Sequence, residues 1–169
     1  MVNTHFAISG MLNVDLDEDV TTANSNFAVG TTVKGNNGSE WLRVSTGSTA
    51  VAAYDCVAVT IGGTAAPITH ALARAGNTIG VAQNAISANS YGWVAINGHS
   101  VIVGTLAAEA IGVSLYTTDT AGKLADATAS GSAALIMGLT LVATASGTTA
   151  SNAACIMQNP VARKTIVDA

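Results

Sequence analysis

The sequence predicts an all-β domain, and three observations lead there. Short runs alternate apolar and polar residues. Gly, Asn and Ser punctuate those runs. No stretch of a dozen residues keeps an apolar face at i, i+3, i+4 and i+7. Together these are the strand-and-turn signature of a sandwich or barrel. The length, 169 residues, suits one domain that buries about 70% of its unfolded surface and needs neither disulfide nor metal to fold.

Residues 1–27 read as an extended N-terminal arm. Its first half is moderately apolar, through Phe6, Ile8, Met11, Leu12, Val14 and Leu16, and an acidic cluster follows at Asp15, Asp17, Glu18 and Asp19. The β-rich body spans 28–160. GTTVKGNNGSEWLRVST (30–46) is a hairpin turning on Asn36-Asn37-Gly38, where Asn and Gly accept positive φ. In AVAAYDCVAVT (50–60), Cys56, Ala58 and Thr60 face one way, and Val57, Val59 and then Ile61 the other. THALARAGN (69–77) has room for one helical turn, and TIGVAQNAIS (78–87) is a strand. GWVAINGHSVIVG (92–104) reads as a second hairpin, turning on Asn97-Gly98. A short helical turn is expected at 107–110, then strands at 113–117 and 123–125. ALIMGLTLVAT (134–144) is the most apolar strand, and NAACIMQNPV (152–161) is the last. Pro160 lacks an N–H and should end strand pairing, leaving 161–169 as a tail. A shift of 58 residues lays 50–60 over 108–118 and Gly80 over Gly138. A duplication would give two similar β-units closing one core; chance matching of alanines is the alternative.

Composition narrows the function. Hydrophobic residues make up 49%, yet aromatics only 4% and charged residues only 9%, against about 25% charged in an average domain. Charge keeps free proteins apart, so a surface this neutral points to a protein covered by partners in an assembly. Net charge is −4, and the six basic residues form no cluster beyond Arg163-Lys164. Phosphate neutralisation dominates nucleic-acid affinity, so nucleic acid is not an expected partner. The longest apolar run, 133–145, is too short for a bilayer, which takes about 20 residues, and no membrane partner is expected. The opening MVNTHFAISGM lacks a basic n-region, so no signal peptide is expected.

No catalytic constellation stands out. Cys56 and Cys155 lie in alternating apolar segments and read as buried free thiols, with a disulfide between strands as the alternative. His5, His70 and His99 could partner a thiolate, but none falls in a nucleophile motif. The G-x-S-x-G, G-x-G-x-x-G and Walker patterns are missing. The alternating carboxylates at 15–19 offer oxygens to calcium, but lack the central Gly and later Glu of an EF-hand, so a solvated acidic patch is the plainer reading. Metal and cofactor are both expected to be none. Trp41, Tyr54, Tyr91, Trp93 and Tyr116 are core packers among small neighbours. In a sharper reading, Trp41, Tyr91 and Trp93 form a subunit interface, where aromatics are enriched.

The order of segments is telling: VGTTVKGNNGSEWLRVST, AVAAYDCVAV, IGVAQNAI, GWVAINGHSVIV, AIGVSLYTTDTAGKL and IMGLTLVA. Over about residues 28–158 it resembles the capsid decoration (cement) proteins of tailed bacteriophages. Two positions depart: Tyr54 stands where that family often has Gly, and Val113 where Asp often follows the Gly. The resemblance implies a compact β-barrel or β-tulip-like domain and a structural virion protein without catalysis. It implies homotrimers on the outer surface of the expanded capsid, stapling subunits of the major capsid protein. The arm residues Phe6, Ile8, Met11, Leu12, Val14 and Leu16 fit this role as a strand-competent segment that adds to a coat-protein sheet edge. The competing reading is a tail, fibre or surface-adhesin component of the virion.

Overall fold

A computed structural model describes residues 14–21, 27–36, 38–106, 109–126, 133–145 and 151–164. The chain is nearly all β, 53% strand and 3% helix. Among the described residues ten strands follow in order: β1 (Thr32–Lys34), β2 (Glu40–Thr46), β3 (Cys56–Val59), β4 (Thr64–Pro67), β5 (Thr78–Ala82), β6 (Tyr91–Thr105), β7 (Leu115–Thr117), β8 (Leu124–Ala125), β9 (Ala134–Leu141) and β10 (Ser151–Lys164). One helical turn, α1 (His70–Arg74), sits between β4 and β5, capped by the Thr69 side chain, which accepts from the Leu72 N–H.

Five strands close a barrel. β2 pairs in parallel with β4; β4 with β3, β3 with β5, β5 with β6 and β6 with β2 are antiparallel. A five-strand barrel is narrow, because diameter grows with strand number. Its interior takes only small or branched side chains. All five strands contribute: Val44, Ala65, Val57, Val59, Ala82 and Val94, with Val51 and Ile86 beside them. The abundance of Val and Ala is the sequence imprint of this narrow core.

β1 pairs with β2 alone, and β7 to β10 with the second half of β6 repeat the same cycle of pairings. The second half of β6 pairs with β10, β10 with β9, β9 with β7 and β7 with β8. β8 returns to β6 in parallel at Thr105 and Leu124. The 58-residue shift carries β3, β4 and β5 onto β7, β8 and β9. The two parallel closures, Ser45 with Thr64 and Thr105 with Leu124, span the same separation along the chain. The faint sequence repeat is therefore matched by a repeated topology.

A second, larger apolar cluster joins the outer barrel face to the other strands. It takes Cys56 and Ala58 from β3, while Val57 and Val59 face the barrel interior. The alternation read from the sequence thus divides β3 between two cores.

Two turn expectations are corrected. Asn97-Gly98 does not reverse the chain; β6 continues through it as one strand of 15 residues. Pairing continues on both sides, Glu40 with Asn97 and Met157 with Gly98, and both ladders shift register beside this point. Gly98 holds φ 143, and a Cβ there would come within 2.2 Å of the Ser39 hydroxyl. The glycine is spent on a bend and a close approach, not on a hairpin. Pro160 likewise does not end β10. A register shift between Met157 and Val161 places it in a bulge, where no ladder N–H is required, and pairing resumes to Lys164 opposite Ala134. The expected C-terminal tail therefore begins within a strand. Near the expected helical turn at 107–110, the described residues Glu109 and Ala110 are not helical.

Gly98→Ala should therefore lose about 3 kcal/mol or more, from strain at φ 143 and collision with Ser39. Urea unfolding measures it. A loss under about 0.5 kcal/mol would contradict a strand bent against Ser39.

Candidate interaction surface

The acidic segment is not a free arm. Residues 14–21 form a strap against the barrel's outer face. Val14 and Leu16 are buried, 7% and 2% exposed, in the larger cluster with Trp41 and Trp93. Val20 makes a two-way backbone bridge with Tyr91, at 3.1 and 2.8 Å. Asp15, Glu18 and Asp19 each hold a hydrogen bond through the side chain, and Asp17 does so through its backbone. Asp15 accepts from the Asp17 N–H at 2.9 Å. Asp19 accepts from the Ser87 N–H at 3.1 Å and the Ser87 hydroxyl at 2.6 Å. The Asn84 side-chain amide donates to the Asp17 carbonyl at 3.2 Å.

Glu18 is the centre of the strap. Its Oε1 accepts from Arg43 Nη1 and, at 3.0 Å, from the Trp93 indole N–H. The Arg43 side chain is fully buried on β2, sharing a face with Trp41. Its guanidinium lies 5.3 Å from the Trp93 ring centre and 5.9 Å from that of Tyr91, a cation–π arrangement. Arg43 Nε and Nη2 have no hydrogen-bond partner among the described residues. Burial pushes the Arg43 pKa down, and the Glu18 carboxylate opposes that shift. Taking a charge out of water is costly, so this pair fixes the strap in place. The solvated-patch reading is corrected for Glu18, while Asp15 and Asp19 are exposed.

The expected interface residues also move. Val14 and Leu16 belong to this chain's own core and cannot contact coat protein while the strap is seated. A cut at residue 20 would remove part of the folded domain. Phe6, Ile8, Met11 and Leu12 lie outside the described residues. Trp41 and Trp93 are 0% and 2% exposed, which removes them from any subunit interface. Phe27 packs on Trp93, with ring centres 5.9 Å apart. Tyr91 is half-buried beneath the strap.

The titratable groups hold structure together. His70 Nδ1 is 2.7 Å from the Thr117 hydroxyl and Nε2 is 3.1 Å from Asp119 Oδ1. Thr117 also accepts the Ala134 N–H at 2.9 Å and is buried. With its oxygen so engaged and covered, Thr117 ties α1 to β7 and is not open to attack a substrate. His99 is exposed on β6, and His5 lies outside the described residues. Cys56 and Cys155 are both free and buried. No group of three His, Cys, Asp or Glu side chains is placed to hold a metal ion among the described residues, and no helix among them is long and apolar enough to cross a membrane.

What the sequence did not mark is an apolar end to the barrel. Ile61, in the turn between β3 and β4, is fully exposed; Val161 and Met137 are 50% and 41% exposed and face each other as cross-strand partners. Period-two alternation placed Ile61 with Val57 and Val59, but the strand ends at Val59. The barrel mouth beside them forms a groove of about 290 Å³. No family model matches the chain, and no curated protein or solved structure matches it either.

Two outcomes follow. Glu18→Gln should cost about 2–4 kcal/mol, because it strands the Arg43 charge, reduced from a fully buried pair because Glu18 is a quarter exposed. Adding Arg43→Met should return most of the loss; tryptophan-detected urea unfolding reads both, and a double variant no more stable than the single would refute the assignment. The thiols give a pH effect. Burial pushes Cys155 from the ordinary 9.0 up to about 12. Cys56 is also raised, first by burial, then by Cys155 and Asp55. Between those values the folded chain binds more protons than the unfolded chain, so stability falls as pH rises above 9.0. Replacing both cysteines with Ala should flatten that slope, measured as unfolding midpoints either side of pH 9.0.

Proposed function

We propose that this chain is a structural, non-enzymatic virion protein, a decoration protein that binds the outer surface of an expanded phage capsid as a homotrimer and staples neighbouring coat subunits. The observation that carries this reading is the apolar end of a closed barrel, where Ile61 stands in water beside Met137 and Val161 of the adjoining β9 and β10, on a chain that is only 9% charged. Exposed apolar residues grouped on one face mark a contact surface. The segment order given above is the second support. Tyr54, where the resembled family often has Gly, holds φ 68, a backbone that Gly adopts without strain.

Stapling suits such a protein physically. A trimer touching several coat subunits gains avidity without any single tight contact. Binding only the expanded lattice stabilises that state by mass action. A tail, fibre or adhesin component is the other reading, and copy number separates the two. Quantitative mass spectrometry of purified virions should find about one copy per major coat subunit, as trimers across a lattice require. A few per cent of that would transfer the proposal to the tail or fibre, and absence from the particle would end both.

A further inference from the structure

We infer that the apolar end of the barrel is the surface through which copies of this chain associate, the projecting Ile61 of one copy seating in the groove of the next. This rests on the homotrimer part of the proposed function and supplies residues for it. The groove is lined by Thr78, Ile79, Ile96, Asn159, Pro160 and Val161. A neighbouring hollow of about 280 Å³ shares Thr78 and carries Ile61 and Leu42 on its wall. Projection and groove therefore lie on one continuous face.

The backbone is bent to build this face. Gly138 on β9 holds φ 78 and Asn159 on β10 holds φ 45, and the ladder between them slips between Met157 and Val161. A Cβ at Gly138 would stand 2.5 Å from the Gln158 carbonyl. The paired irregularity turns Met137 and Val161 outward, against the usual burial of such side chains. Bulges that re-aim side chains recur beside functional surfaces, and a non-glycine residue at positive φ is strain that the surroundings must hold.

Charge and shape together fit a second copy of this chain. Identical copies each carry −4 and repel on approach. They can meet only where charge is sparse, since like charges brought together at an interface cost several kcal/mol. None of the residues lining either hollow is charged. A face bearing both a projection and a groove is also complementary to itself, and a rotation that closes generates a ring.

Sedimentation equilibrium of the full chain tests the inference. The wild type should associate, and Ile61→Lys or Val161→Asp should each weaken association by about a hundredfold or more, with near-ultraviolet circular dichroism unchanged. Ile61 and Val161 are exposed, so both variants should fold. Both substitutions in one chain should restore association, because each lysine then meets an aspartate. A monomeric wild type, or single variants that associate like the wild type, would overturn the inference. Single variants that stay associated but no longer bind capsids would reassign the face to the coat protein and leave the capsid reading standing. Association lost and restored as described, in a chain absent from virions, would uphold the inference and end the capsid reading.

Discussion

One bent strand organises this molecule. β6 runs from Tyr91 to Thr105, its first half closing the barrel against β2 and β5 and its second half pairing with β10 and β8. The bend at Gly98 lets one strand serve two closed cycles of pairings. Neither cycle is an independent unit, because the larger cluster draws Trp41 and Ile79 from one and Leu115 and Leu139 from the other. The seam is reinforced by Lys123 and Asp55, 3.0 Å apart and 19% and 7% exposed. Small residues make room for that ion pair. A Cβ at Gly104 would stand 2.5 Å from the lysine ammonium, and one at Gly122 2.4 Å from the aspartate carboxyl carbon.

The strap shows how a chain poor in charge uses the charges it has. Glu18 neutralises Arg43, and the cation rests on two aromatic rings. A buried pair is a weak source of stability against an apolar substitute, yet breaking it is severe. Its value here is positional, because only one register of the strap brings Glu18 to Arg43 while Val14 and Leu16 enter the core. The strap thereby covers Trp93 and Tyr91, which would otherwise leave an aromatic face open on the barrel wall. Of the large apolar side chains left exposed among the described residues, Ile61, Met137 and Val161 gather at the barrel mouth, on turn and bulge-flanking positions, whereas Ile111 and Val142 line neither hollow there.

Much of the strand pattern was legible in the residues. Alternation placed β3, β5 and β9, and correctly split Cys56 and Ala58 from Val57 and Val59. The faint 58-residue repeat anticipated the repeated pairing cycle. The failures share one cause. Asn97-Gly98 and Pro160 are strong local signals for reversal and for a stop, but each is also compatible with a bend or bulge inside a long strand. Partners distant in sequence made that choice: β2 and β10 for Gly98, β9 for Pro160. The acidic run at 15–19 looked solvated because its partners, Arg43, Ser87 and Trp93, lie far along the chain.

The sequence by itself determined the strand period, the small-residue core and the scarcity of charge, because these follow from nearest-neighbour alternation and composition. Only the tertiary structure decided which polar residues were buried, which apolar ones stayed in water, and where glycine bends the chain rather than turning it. Those outcomes depend on contacts between segments tens of residues apart, such as Glu18 with Arg43, Gly98 with Ser39 and Met137 with Val161, and no local pattern encodes them.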